Sequence, residues 1–193
     1  FKAESGQYTN VLLTVDASSF STYVSGLGGA PDSPLASSQM GNRLAYLRNV
    51  ELSVNSYSTR ITNTYNAGSN LASYPANSNL SNQLKTVARI IKGGSKTKIF
   101  LVQFGGFDTH SVQTNADTTT GAHATLLQRV SDAIRAFQED LRGLGVEERV
   151  IGMTYSEFGR RIKSNSSTGT DHGAGAPMFL FGTSIESGML GVN

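Results

Sequence analysis

Cysteine and tryptophan are missing altogether from this 193-residue chain, proline occurs only 4 times and histidine only 3. Without cysteine there is neither a disulfide framework nor a thiolate metal site, so any metal must be held by His, Asp or Glu. No apolar run approaches the roughly 20 residues of a membrane span, and the opening FKAESGQYTN lacks the charged-then-apolar order of a signal peptide. A strong charge of one sign is missing too. The 16 basic and 14 acidic residues leave a net charge of +2 with no dense basic block, which argues against nucleic acid and against an anionic membrane as partners.

What is present falls into two compositional parts. Residues 1–73 read as a polar, Ser/Asn-rich region of the kind common in exported proteins. In it Val11 to Val15 suits a short strand, Gly26 to Pro34 a loop, and Leu44, Leu47, Val54, Tyr57, Ile61 and Tyr65 one face of a long helix. Residues 74–193 are far more regular. Leu80, Leu84, Val87 and Ile91 predict a helix capped by Asn77, Ser78 or Asn79 and stopped at Gly93-Gly94. Lys98 to Phe104 predicts a buried strand, and Leu127, Val130, Ile134, Phe137 and Leu141 a second amphipathic helix ending at Gly143 and Gly145. Arg149 to Tyr155 and Met178 to Phe181 read as two more strands.

This alternation predicts an α/β fold with a mostly parallel sheet flanked by helices, in which functional groups gather on loops at the carboxyl ends of strands. Three unusual stretches take such places: GGFDTH after the first strand, SEFGRR after the second and GTDHG before the third. Asp108 and His110 lie two apart, and Asp171-His172 is a second carboxylate-imidazole pair. Together they offer two oxygen and two nitrogen ligands, a set that suits Zn, Mn or Fe rather than calcium. His123, opening the helix in GAHATLL, reads either as a further ligand or as an ordinary first-turn histidine. Glu157 suits metal binding, general-base work or pairing with Arg160, and Arg160 suits clamping an anionic oxygen; a structural Glu-Arg pair is the plain alternative.

GGFDTHSVQ, the HATLLQRVSDAIRAFQEDL helix, VIGMTYSEFGRR and GTDHG, in that order, resemble the bacterial DUF1501 family, related to the alkaline phosphatase and sulfatase superfamily. YPANSNLSNQLKTVARIIKGGSKTKIFLVQ looks like the family's lead-in, so the resemblance runs from about Tyr74 to Gly191. It implies that Asp108 and His110 match the first Asp/His metal ligands of alkaline phosphatase-like enzymes, and Asp171 and His172 the Asp-His pair of the second cluster. It further implies a divalent metal, zinc or manganese, with two ions about 4 Å apart polarising a phosphate or sulfate ester of a small molecule or polysaccharide. Glu157 and Arg160 would then be catalytic.

In one respect the chain departs from the family. Members usually begin with a strand and a glycine-rich GG-x-D-G-type segment at the first metal-binding aspartate and the nucleophile, and residues 1–79 contain nothing of that form. The expectation is therefore a C-terminal portion of an incomplete alkaline phosphatase-like fold, partnered by the remainder of its precursor. The leading functional expectation is a metal-dependent hydrolase, periplasmic or secreted, as the family's frequent twin-arginine signals imply. Its rival is an exported, non-catalytic binding or structural protein that keeps the fold.

Overall fold

The computed structural model describes residues 39–191; the strand expected at Val11 to Val15 and the loop at Gly26 to Pro34 lie outside them. In order come α1 (Gln39–Ala67), α2 (Asn79–Lys92), α3 (Ala122–Gly143), a 3-10 turn (Glu147–Arg149), and strands β1 (Gly152–Met153), β2 (Gly159–Ser164), β3 (Thr170–Gly173) and β4 (Leu180–Phe181). The class is mixed α/β, with three helices and two small antiparallel sheets among the described residues. No described helix is long and apolar enough to cross a membrane.

The chain divides into two compact units, and the division falls inside α2. The first holds the described residues up to Ser69 together with Arg89–Leu101. Its joint lies where α1 ends: Arg89 donates from Nε to the Tyr65 carbonyl at 2.9 Å, and its guanidinium sits 4.1 Å from the centroid of the Tyr65 ring. Gly68 and Gly93 meet there backbone to backbone, so a Cβ on either would overlap a main-chain carbonyl of the other segment. Beyond the end of α2, Gly94 has a φ of 87°, which lets the Ser95 N–H reach back to the Ile90 carbonyl at 3.2 Å.

The second unit holds Asn70–Ala88 and the chain from Val102 onward. Ser78 is the cap of α2, its hydroxyl accepting from the Ser81 N–H at 3.2 Å. Buried apolar side chains come from Leu80, Leu84 and Val87 of α2 and from Ala133, Ala136, Phe137 and Leu141 of α3. The buried face of α3 is turned relative to the one read from periodicity. Leu127 is 44% exposed, whereas Ala133 and Ala136 are buried, small residues that a periodicity counted on large apolar side chains passes over.

At the centre of this unit sits a charged side chain. Asp140 has no exposed surface and accepts four hydrogen bonds, from Asn70 Nδ2 (2.7 Å), Leu71 N (2.6 Å), Ala72 N (3.1 Å) and Tyr74 Oη (2.9 Å). Asn70 Nδ2 also donates to the Lys85 carbonyl at 2.8 Å, so one amide ties α2 and α3 together. A carboxylate satisfied by four donors is tolerated where a bare one would be prohibitive. Burial of Tyr74 first, and then the bond to Asp140 and its charge, push the Tyr74 hydroxyl far above the usual tyrosine range.

The strand readings need correction. Lys98–Phe104 forms none of the named strands, and Ile99 is 52% exposed. Both main-chain groups of Gln103 are instead taken by the side-chain amide of Gln83, at 3.0 and 2.9 Å, which substitutes for a neighbouring strand. Arg149–Tyr155 begins in the 3-10 turn and forms a strand, β1, at Gly152–Met153, with Thr154 N donating to the Phe179 carbonyl beyond it; Met178–Phe181 contributes its last two residues to a strand, β4, which pairs antiparallel with β1. β2 and β3 also pair antiparallel, in the register Arg160 to His172. The mostly parallel sheet is thus not formed among the described residues. A short turn, residues 165–169, closes an antiparallel pair locally, whereas parallel neighbours need a crossover of a dozen residues or more.

Candidate metal centre

The stretch that carries Asp108 and His110 is a loop, and its position is set by the β2–β3 hairpin. Val112 N donates to the Ser167 carbonyl at 2.9 Å and Gln113 N to the Thr168 carbonyl at 3.0 Å, which lays the loop against the hairpin tip. Gly169 is required there: a Cβ would run into the carbonyl of His110. This pairing closes the 61 residues between His110 and Asp171.

Three side chains meet on the surface. His110 Nε2 lies 3.1 Å and His172 Nε2 2.9 Å from the same oxygen, Asp108 Oδ1. Their candidate ligand atoms all fall within 4.8 Å of one another, and each side chain is about half exposed. The ring centroids of the two histidines are 4.7 Å apart, and Phe158 stacks on His172 at 4.2 Å with the planes 16° apart. The His172 hydrogen bond, then the nearby His110, His172 and Arg160 charges, hold the Asp108 carboxyl below its ordinary range. An ionised carboxylate and two imidazole nitrogens converging from one side form a donor set that fits a borderline divalent ion with positions left open to solvent.

The remaining residues picked from sequence take different places. Asp171 stands at the other nitrogen of His110, with Oδ1 3.4 Å from Nδ1, and also accepts from Asn165 Nδ2 at 3.1 Å. The Asn165 bond first, then His110 and Arg161, hold its carboxyl below the usual value. His123 is outside the cluster. Its ring meets Phe107 edge-on at 5.8 Å, its Nδ1 is buried without a partner, and burial with the Arg160 charge pushes its pKa down. Glu157 is exposed and also outside the cluster. Arg160 is only 15% exposed; it donates from Nη2 to the Phe107 carbonyl at 2.6 Å and from Nη1 to the Thr170 carbonyl and hydroxyl, and it lies 3.8 Å from Asp108. It ties the Phe107 end of the loop to Thr170 of β3.

Sequence reading missed Asn165 and Phe158. Asn165 donates to the His110 carbonyl at 2.8 Å and accepts from the Ser167 and Gly169 N–H groups. Its place at the head of NSSTG is the signal, since asparagine commonly organises a turn through its own side chain. Phe158 carries no such signal.

The family description "Protein of unknown function (DUF1501)" matches residues 35–191. The chain belongs to the DUF1501 family. The match begins well before Tyr74 and so takes in α1 as well as the motif-bearing part. No curated protein and no solved structure matches the chain.

Proposed function

We propose that this DUF1501 chain carries the divalent-metal site of a hydrolase acting on phosphate or sulfate esters. The observation that carries the reading is the convergence of His110 Nε2 and His172 Nε2 on Asp108 Oδ1, from segments 61 or more residues apart. A zinc or manganese ion there would act as a Lewis acid on an ester oxygen. The chain's own contribution is orientation. Arg160 secures the Phe107 carbonyl beside Asp108, Phe158 restrains the His172 ring by stacking, and the hairpin tip fixes His110. The exposed side of the cluster leaves room for an anionic substrate.

The alkaline phosphatase-like fold with its mostly parallel sheet, a periplasmic or secreted location, and a nucleophile supplied by the remainder of a precursor belong to the same proposal. They rest on the order of the FDTH, SEFGRR and DHG motifs. A second reading, an exported binding protein that keeps the metal for structure, is favoured by the commitment of Arg160 to main-chain carbonyls.

Titration of the protein with zinc and with manganese, followed by assay on p-nitrophenyl phosphate and p-nitrophenyl sulfate, tests the proposal. Metal-dependent release of nitrophenol that disappears in His172→Ala supports the hydrolase. Tight metal binding with no turnover by the full precursor favours the binding protein, and no metal binding at neutral pH sinks both.

A further inference from the structure

His110 faces a carboxylate at each nitrogen: Asp108 at Nε2, 3.1 Å away, and Asp171 at Nδ1, 3.4 Å away. The Nε2 side also holds the Nε2 of His172, 2.9 Å from the same Asp108 oxygen. With the ligands of an ion gathered on that side, Nδ1 would be left to donate its N–H to Asp171. We infer that Asp171 is not a ligand but the positioning residue that sets the tautomer and ring plane of His110. This rests on the metal-site reading above.

Strand geometry supports the assignment. Asp171 and His172 are consecutive on β3, and successive side chains of a strand project to opposite sides. β3 thereby brings His172 to the Nε2 side of His110 and Asp171 to its Nδ1 side.

Asn165 supplies the second support. The same Nδ2 group donates to Asp171 Oδ1 at 3.1 Å and to the His110 carbonyl at 2.8 Å, so one side chain registers the carboxylate against the backbone of the histidine it orients. Asn165 is itself fixed through Oδ1, which accepts from Ser167 N at 2.9 Å and Gly169 N at 3.1 Å. A carboxylate engaged in this way behind a ligating imidazole is a recurrent arrangement that raises the basicity of the ligand and fixes its orientation. The 3.4 Å contact is longer than the roughly 2.9 Å optimum. A cation held by Nε2 would make Nδ1–H a stronger donor toward Asp171.

The test combines zinc calorimetry with proton–nitrogen NMR of the zinc-loaded chain. Wild type should bind zinc with His110 coordinated through Nε2 and a slowly exchanging Nδ1–H. Asp171→Ala should keep the stoichiometry, weaken zinc binding by about 10–100-fold and lose protection of that proton. Asp171→Asn, whose amide oxygen still accepts, should recover part of both, and Asn165→Ala should shift both in the direction of Asp171→Ala. Unchanged affinity with an intact Nδ1–H signal in Asp171→Ala overturns the inference while leaving the metal site standing. Loss of one of two bound zinc ions in that variant also overturns it, by making Asp171 a ligand. A wild-type chain that binds no zinc overturns the metal-site reading itself, and this inference with it.

Discussion

His172 Nε2 lies 2.9 Å from Asp108 Oδ1 across 64 residues of chain, and both side chains remain about half exposed. A contact so placed contributes little to stability, since exposed charged pairs are weak. Its significance is chemical, because it leaves two imidazoles and a carboxylate presented to solvent as a group.

Removing either partner should therefore abolish metal binding without unfolding the chain. His172→Ala and Asp108→Asn should each lower zinc affinity by more than about 100-fold, beyond the effect typical of residues behind the ligands. Calorimetry reads the affinity and far-ultraviolet circular dichroism the fold. Retained affinity in both variants would place the ion elsewhere.

Asp140 presents the opposite case. Asp140→Ala leaves four donors, Asn70, Leu71, Ala72 and Tyr74, without their acceptor, and should destabilise by roughly 3–5 kcal/mol. Urea unfolding measures it. A loss below about 1 kcal/mol would mean that the segment carrying those donors rearranges to satisfy them.

Tyr74 should make the fold sensitive to alkali. Its hydroxyl donates to Asp140, and burial first, then that carboxylate, raise its folded pKa above the unfolded value near 10. A raised folded pKa contributes stability that is fully present below the unfolded pKa and is lost progressively as pH rises above about 10. Urea midpoints of wild type and Tyr74→Phe, compared at pH 8 and pH 11, isolate this contribution from that of the lysines. The wild type should fall further between the two pH values than the variant does.

On α3 the burial differs sharply along one apparent stripe. Phe137 is 3% exposed, and Phe137→Ala should cost roughly 3–5 kcal/mol. Leu127 is 44% exposed, and Leu127→Ala should change the stability by no more than about 0.5 kcal/mol. Equal costs in thermal melts would contradict the observed orientation of the helix.

Local chemistry written along the chain was legible directly. The apolar spacing of Leu80 to Ile91, with Ser78 before it and Gly93-Gly94 after it, specifies α2 because a helix needs only its own periodicity, a cap and a stop. The two Asp/His pairs stood out by their joint occurrence, two of the three histidines lying beside aspartates on glycine-rich stretches, and their motif order marked the family. Strand pairing was not legible. Lys98–Phe104 has the composition of a buried strand, but pairing depends on which edge meets it: Leu101 makes an isolated bridge, and at Gln103 the side chain of Gln83 takes both main-chain groups.

The division of labour within the site was also decided in three dimensions. Sequence offers Asp108, His110, Asp171 and His172 as ligand candidates and leaves His123 open between a further ligand and an ordinary first-turn histidine, since ligand chemistry is read there from residue type. Which nitrogen faces which oxygen depends on the loop-to-hairpin pairing at Val112 and Gln113, on the alternation of β3 and on the Asn165 amide. Those relationships put Asp108, His110 and His172 together, set Asp171 behind His110, and leave His123 against Phe107. The sequence alone determined which groups were available; contacts between residues far apart in the chain determined which of them lie together.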